Sequence, residues 1–560
     1  MICSTGSPVP TGEVRFTAPN NIGTSGLRSP CGGSVACTLC TGTAHRSEPE
    51  AEIRVSGSGR WLGRLRGAAL VVSFGLLLLV AAAGPSAAKP GLGPRGWAPG
   101  NLPITLSSAV VTATLWTAYL LGALAVGLGL WRGKGCGHVR SPGRGRVNPW
   151  VWPVALGVLA LLTAPIGSAD HINYAAYGRI TAQGGDPYLV APSTWAGGLD
   201  PVTSAVQLPW RMTPSIYGPF GTALQTLSSF VGGDNLRQTV WVWQLFIVVA
   251  WLTVRFLLRR AAVDEVARGR VDLLWTANPV VFGVAVLGAH VDLIASALAL
   301  AAVFLAARRP WIAGLVLGAT VSTKITFAIV ALAILWSWRF LARKDLARNV
   351  GAMAVSSLAI FVLLHLWAGP HVFDQLRKAS QGVSLVTVWR PVVNLLSAVM
   401  ALDAARTVVS VASVVAVIVL AWVLWRLVGS RAATGRDRFT RPTSAAQQRQ
   451  AGMTAMFVLA TAYALVTPYA LPWYDTLTWA TLPLMLATAL DGILLAQLTV
   501  MAMAYVPGRV VAMSTDVESL TLGFRKIIGP LAAWLVVLAI AGVARRGWSR
   551  ASPPSGPLAS

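Results

Sequence analysis

Long apolar runs are the feature of this sequence that most restricts its fold. Runs of about 20 residues with few charges recur along the chain, and the first two cover residues 65–83 and 104–130. A helix of that length spans the hydrocarbon core of a bilayer. Only 12% of the 560 residues are charged and the mean hydropathy is +0.62, as expected for a chain with many such segments. We therefore predict an all-α polytopic membrane protein.

The basic residues lie mainly in short segments between the apolar runs. The formal net charge is +25, and a charge of this size also occurs in proteins that bind nucleic acid. Its placement follows the positive-inside rule instead, which predicts a membrane lipid bilayer as partner and no nucleic acid. The strongest marker is a segment without acidic residues, predicted to be cytoplasmic, that contains Arg132, Lys134, Arg140, Arg144 and Arg146.

Counting the spans from this basic segment predicts the topology. We expect about 12–13 transmembrane helices, with short re-entrant or interfacial helices such as residues 217–231. Residues 311–338 are predicted to form a hairpin with Lys324 at or near its turn. Both termini are then cytoplasmic and Asp170 is extracytoplasmic. The predicted parts are disordered tails, residues 1–60 and 549–560, and a membrane domain, residues 61–548, with an outer loop at 169–236.

Polar and aromatic clusters recur at the span ends that are predicted to face outward. The apolar run from Trp150 to Ile166 is followed at once by Asp170. A carboxylate there is accessible to water and lies beside a lipid phase. The other residues of these clusters are Tyr174, Tyr177, Arg211, Tyr217, His290, Asp292, Lys324, Arg390, Trp473 and Tyr474. Together they indicate one extracytoplasmic rim with a few carboxylates, several cations and many aromatic rings.

Several of these clusters resemble segments of the actinobacterial polyprenol-phosphate-mannose-dependent α-1,6-mannosyltransferases, a family of the GT-C superfamily. The resemblance covers about residues 100–545. It rests on residues 170–219, Asn278-Pro279, Gly288-Ala-His290-Val-Asp292 and Pro472-Trp473-Tyr474. Two positions depart from the family pattern, namely His171 after Asp170 and Val291 between His290 and Asp292. The resemblance implies a GT-C-like bundle in a bacterial plasma membrane, with the active site extracytoplasmic.

The same resemblance implies a hexosyltransferase reaction. Mannose, or a related sugar, would move with inversion from a polyprenyl phosphate to a glycolipid or cell-wall glycan. Asp170 is the predicted base, because the incoming hydroxyl must lose a proton as it attacks the anomeric carbon. The departing phosphate needs charge stabilisation rather than an acid, and the cations proposed for this are Arg211, Lys324 and Arg390. The other candidate substrate-binding residues are His290, Asp292, Tyr174, Tyr177, Tyr217, Trp473 and Tyr474.

Two other classes of protein stay open at this point. A lipid-linked-sugar flippase or secondary transporter would carry ionisable residues at mid-span depth and broken helices there. A non-catalytic membrane scaffold would leave the polar, aromatic outer loop without a task. No organic cofactor is predicted, and no His, Cys or carboxylate cluster has the spacing of a metal site, although the sequence leaves a divalent metal requirement open. The donor sugar, the acceptor and the linkage are also open.

Overall fold

The computed structural model describes residues 57–93, 96, 100–135, 148–379, 381–431, 444–509 and 511–549. The predicted tails, residues 1–60 and 549–560, lie outside these ranges except at their inner ends. The five cysteines of the chain also lie outside them. The described residues from 57 onward belong to one compact unit, Ser56–Ser560.

The described part of the chain is helical throughout and contains no β-strand, only an isolated bridge between Ser86 and Lys89. The α-helices of the first half are α1 (Gly57–Ala82), α2 (Ser108–Gly135), α3 (Val151–Leu162), α4 (Asp170–Ala182), α5 (Pro219–Gly232), α6 (Leu236–Ala261), α7 (Glu265–Val271), α8 (Pro279–Val281), α9 (Val291–Ala306), α10 (Pro310–Val321) and α11 (Ile329–Trp338). Those of the second half are α12 (Arg343–Ala368), α13 (Asp374–Ala379), α14 (Trp389–Leu396), α15 (Leu402–Arg431), α16 (Ala445–Val466), α17 (Thr476–Thr481), α18 (Ala489–Tyr505), α19 (Thr515–Gly523) and α20 (Gly529–Ser549). The predicted all-α class is confirmed.

Six helices of the described residues are long and apolar enough to cross a membrane. They are α1, α2, α6, α12, α15 and the continuous segment Thr515–Arg546, which joins α19 to α20. A seventh is possible by length if the pair Glu265–Thr276 and Pro279–Leu287, bent by 41°, counts as one span. Five apolar helices are shorter, with 10–17 residues each. The polytopic prediction is therefore confirmed, whereas the count of full-length helices is below the predicted 12–13.

The shortfall has local causes in the sequence. The predicted span from Trp150 to Ile166 is helical only to Leu162, because Thr163 is extended and Pro165 follows. Two other apolar runs from which the sequence predicts spans, residues 273–289 and 476–490, are interrupted in the structure. The first is interrupted at Asn278-Pro279, where the Asn278 side chain caps a new helix, and the second at Pro483.

Two other local predictions agree with the structure. Lys324 lies between the end of α10 and the 3-10 helix Ile325–Ala328 that precedes α11, so it occupies the turn of the predicted hairpin. Residues 217–231 largely coincide with α5, which has 14 residues and is too short to span a bilayer. These breaks and short helices bring the polar residues together at one end of the bundle, which we call the site end.

Candidate active site

Asp170 is the first residue of α4 and is held by its flanking backbone. Its own N–H donates to Ser168 Oγ at 3.1 Å. The preceding extended segment is fixed on both sides, since Ile166 N donates to Leu287 O and Gly167 N to Ala88 O, each at 2.8 Å. The Asp170 carboxylate is 14% exposed. It therefore occupies one defined position and still reaches the surface of the site.

His290 lies beside this carboxylate, with its Nδ1 atom 3.4 Å from Asp170 Oδ2. Nδ1 is buried and makes no hydrogen bond to a protein group. The imidazole stacks on the Trp473 indole with ring centroids 3.6 Å apart and planes at 12°. The preceding Ala289 adopts a left-handed φ of 55° and its carbonyl accepts from Trp243 Nε1 at 2.8 Å. A left-handed residue other than glycine is strained, and such strain is commonly found at functional sites.

Asp292, two residues after His290, forms a buried ion pair with Lys324, which lies after α10. Lys324 Nζ is 2.6 Å from Asp292 Oδ1, and the Asp292 side chain is only 2% exposed. The same ammonium lies 3.5 Å from the ring centroid of Tyr474. Asp292 sits in the first turn of α9, where the helix dipole favours a negative charge. Lys324 is thus joined to the site by a carboxylate and an aromatic ring.

Three tyrosines form a wall next to Asp170. Tyr174 packs edge-on against Tyr217 at 4.9 Å, and Tyr177 lies 6.3 Å from the same ring. The Tyr177 hydroxyl donates to Thr213 O at 2.8 Å. Burial, and next the negative charges of Asp170 and Asp292, raise the pKa of Tyr174 well above its usual value. The Tyr174 hydroxyl therefore stays protonated, and the charges of both carboxylates contribute to this.

A small cleft adjoins the His290–Trp473 stack. Its lining includes Tyr119 of α2, Gly167 just before α4, and Tyr505 at the end of α18. Residues from both halves of the chain therefore enclose this cleft, and His290 of its lining contacts Asp170. A carboxylate, an imidazole and an ammonium close to one cleft provide groups that can accept a proton and balance negative charge.

Two of the predicted residues do not join this cluster. Arg211 is exposed on a 3-10 turn, Trp210–Met212, and Arg390 is half-buried in the first turn of α14. Within the ranges that the structure describes, neither side chain makes a hydrogen bond or an ion pair. The other nine predicted side chains form three contact groups, namely Asp170 with His290 and Trp473, Asp292 with Lys324 and Tyr474, and Tyr174 with Tyr177 and Tyr217. The groups lie close together, since the charges of Asp170 and Asp292 both influence Tyr174.

The structure adds three residues that the sequence prediction missed. His171 is buried with neither ring nitrogen hydrogen-bonded, and burial, together with the positive charges of His290, Arg509 and Lys89, lowers its pKa to about 3. Asp475 is buried with Oδ2 unpaired, and burial raises its pKa to about 7. Arg525 belongs to the last candidate span, Thr515–Arg546, just before its apolar part. Its charge at this position is the sequence signal that could have identified it.

A metal site is not formed by the described residues, among which no group of three or more His, Cys, Asp or Glu could hold an ion. Whether the protein requires a divalent metal therefore stays an open question.

Comparison with known proteins identifies the segment that carries most of this cluster. Residues 69–342 match the sequence model described as "Alpha-(1->6)-mannopyranosyltransferase, N-terminal domain". No solved structure matches the chain.

Relatives with the same description occur in mycobacteria and corynebacteria. A Mycolicibacterium smegmatis protein named "Probable alpha-(1->6)-mannopyranosyltransferase" is 32% identical over 238 residues, 40% of this chain and 39% of that protein. An alpha-(1->6)-mannopyranosyltransferase of Mycobacterium tuberculosis is 29% identical over 40% of this chain and 37% of its own length. Alpha-(1->6)-mannopyranosyltransferase B of Corynebacterium glutamicum is 31% identical over 21% of this chain and 19% of its own length. The matches thus span less than two fifths of each relative. The resemblance seen in the sequence is confirmed for residues 69–342, which are similar to the N-terminal domain of the alpha-(1->6)-mannopyranosyltransferases.

Proposed function

We propose that the chain is a membrane mannosyltransferase that uses a polyprenyl-phosphate-mannose donor. Its acceptor is a hydroxyl of a glycolipid or cell-wall glycan at the extracytoplasmic face of the plasma membrane. The observation that carries this proposal is the contact between Asp170 and His290, next to the Lys324–Asp292 pair, within the segment that matches the family. The membrane helices support a substrate whose lipid tail stays in the bilayer.

Asp170 acts as the general base in this reaction. The acceptor oxygen forms a bond to the anomeric carbon while its proton passes to the Asp170 carboxylate. The bond from the anomeric carbon to the phosphate oxygen breaks, and the polyprenyl phosphate leaves with that electron pair. A single displacement of this kind inverts the configuration at the anomeric carbon.

His290 and Lys324 support the carboxylate and the charge that develops. The imidazole, held flat on Trp473, borders Asp170 on one side and restricts its orientation. Lys324 has three N–H donors, of which one serves Asp292 while the Tyr474 ring covers part of the ammonium. A further N–H is open to an oxygen of the substrate.

A lipid-linked-sugar flippase is the second candidate, because the bent pair around Asn278-Pro279 is a broken helix of the kind that transporters use. Such a protein would move the intact lipid-linked sugar between leaflets and would not release polyprenyl phosphate. The two functions therefore differ in whether the bond between sugar and phosphate breaks.

The test is an Asp170→Asn variant in a transfer assay. Membranes that contain the full chain are supplied with labelled polyprenyl-phosphate-mannose and an actinobacterial glycolipid extract. We expect transfer to fall by about 10²–10⁴-fold at unchanged protein abundance, because the amide keeps the shape and loses the base. Asp186→Asn is the matched control, since Asp186 lies in the same outer segment and accepts only a local N–H from Tyr188 at 2.8 Å. Unchanged transfer by the Asp170 variant removes this residue from its role, and an inactive parent that moves the donor between leaflets supports the flippase.

A further inference from the structure

Arg525 stands where the apolar part of the last candidate span begins. It belongs to the candidate span Thr515–Arg546, and the residues around it, Phe524–Ile528, form a π-helical turn between α19 and α20. The charged residues of this half of the segment, Asp516, Glu518, Arg525 and Lys526, all precede the apolar residues 527–544. Long basic side chains at the end of a span reach the membrane interface, where phosphate headgroups lie. Single π-helical turns are also frequent at functional sites, so the position of Arg525 requires a reason.

The protein supplies few partners for this guanidinium. Its Nε donates to Ala504 O at 2.5 Å, and its central carbon lies 4.9 Å from the ring centroid of Tyr505. None of the carboxylates in the described ranges forms an ion pair with it. A guanidinium has five N–H donors, so four stay open after the bond to Ala504. Arg525 thus presents a positive charge and several donors without a protein anion to receive them.

Arg525 is connected to the active-site cleft through Tyr505. Tyr505 lines the cleft together with His290 and Trp473, and its ring centroid is 6.2 Å from that of Trp473. The Tyr505 hydroxyl is 2.6 Å from the Ser384 hydroxyl, which adds two more polar oxygens beside the ring. A chain of direct contacts therefore runs from Arg525 over Tyr505, Trp473 and His290 to Asp170.

We infer that Arg525 binds the phosphate of the lipid-linked sugar donor, an inference that rests on the proposed function. A guanidinium recognises a phosphate through two parallel N–H···O bonds, which suits its open donors. Its position just before the apolar residues 527–544 suits a headgroup whose polyprenyl tail remains in the bilayer. The other cations are less suited to this task, since Lys324 is paired with Asp292. Arg525 does not itself line the cleft but contacts Tyr505 of its lining, whereas in the described ranges neither Arg211 nor Arg390 has a hydrogen bond or ring contact with a lining residue.

The test measures binding of polyprenyl phosphate to the purified full-length protein in phosphatidylcholine nanodiscs, followed by tryptophan fluorescence. We expect Arg525→Gln to weaken binding by about 10- to 100-fold, because hydrogen bonds to a charged group contribute about 1.5–3 kcal/mol. Arg525→Lys, which keeps the charge and loses the fork of donors, should fall between this variant and the parent. Lys526→Gln is the matched control, since Lys526 carries the same charge on the exposed side of the same turn and should bind as the parent does. Equal binding by the parent and the Arg525→Gln variant, whose melting temperature shows that it is folded, overturns the inference.

Three further ligands separate the possible sources of the phosphate. Polyprenol without phosphate should bind the parent and Arg525→Gln equally, and inorganic phosphate should show no dependence on Arg525. Phosphatidic acid should bind more weakly than polyprenyl phosphate, and an equal loss for both in Arg525→Gln assigns the site to ordinary headgroups and overturns the donor assignment. Binding that depends on Arg525 in a parent that transfers no mannose supports the phosphate site and refutes the proposed reaction. Transfer that is lost in Asp170→Asn and normal in Arg525→Gln at limiting donor keeps the reaction and refutes the site.

Discussion

Asp292 and Lys324 are the closest ion pair of the candidate site, and their burial makes each depend on the other. The 2.6 Å contact joins a carboxylate that is 2% exposed to an ammonium that is 16% exposed. Removal of one partner leaves an uncompensated buried charge, which typically costs about 3–5 kcal/mol. Replacement of both by apolar residues of similar size is far less harmful.

We therefore predict that Lys324→Met lowers the free energy of unfolding by about 3–5 kcal/mol, whereas the double variant Asp292→Leu/Lys324→Met recovers most of this loss. Arg406→Met is the control, because its pair with Asp403 is 3.4 Å long and exposed, and such a pair contributes at most about 1 kcal/mol. Unfolding of the purified protein in detergent, followed by circular dichroism, measures all three. A double variant no more stable than Lys324→Met would contradict the proposed dependence.

Individual residues were predicted well where their type and position already implied their environment. Asp170, His290, Asp292 and Lys324 follow apolar runs or stand at turns, so their polarity marked them. The sequence did not reveal that His290 stacks on Trp473, because 183 residues separate them, nor that Asp475 is buried. Arg525 was missed because it directly precedes the apolar run 527–544. A cation that flanks a span is commonly only a marker of membrane orientation.

The position of Asp170 depends on how closely α4 packs on α5. Gly178 makes this approach possible, since a Cβ atom there would lie 2.2 Å from Gln225 O and 2.4 Å from Gln225 C. The obstacle is backbone rather than a movable side chain, so a substitution must push the two helices apart. The Asp170 end of α4 would then move relative to His290.

We predict that Gly178→Ala lowers both the melting temperature and mannose transfer, although residue 178 is two turns from Asp170. Gly492→Ala is the matched control, because Gly492 lies in α18, is exposed and has no atom within 4 Å of the position that a Cβ would occupy. There the higher helix propensity of alanine should stabilise the protein by up to about 1 kcal/mol. A Gly178→Ala variant with parental melting temperature and transfer would show that α4 tolerates the displacement.

Helix type was more predictable than helix continuity. The long apolar runs correspond to α1, α2, α6, α12 and α15, since length and hydropathy determine such spans. The interruptions near residues 278 and 483 occur at prolines. Because membrane helices often tolerate proline, its presence in the sequence did not show whether the helix would be interrupted. Contacts with neighbouring helices compensate for these breaks, and contacts of this kind are not visible in one sequence.

At the scale of the molecule, the positive-inside rule predicts that the site end faces outward, and this orientation is open to direct test. Leu199, which is 86% exposed, lies on the segment between α4 and α5. Val263, which is 89% exposed, follows the opposite end of α6. A 26-residue helix is about 39 Å long, enough to put the two positions on different sides of a bilayer.

We predict that a cysteine at Leu199 reacts with an impermeant maleimide in intact cells, and that a cysteine at Val263 reacts only after the cells are permeabilised. Each is introduced into a chain whose five native cysteines are replaced by serine. The variant without cysteine is the control for background labelling. Labelling of Val263→Cys but not Leu199→Cys in intact cells would reverse the orientation and place Asp170 in the cytoplasm.

The stack of His290 on Trp473 has a consequence for how such a protein can diverge. His290 belongs to the part that matches the family, residues 69–342, and Trp473 lies beyond it. The proposed base, Asp170, is therefore supplied by one stretch of chain and much of the opposing wall by another. Mutations in the later stretch can reshape what the cleft admits while the proton acceptor stays in place, so related chains can share their chemistry and differ in the molecules they modify.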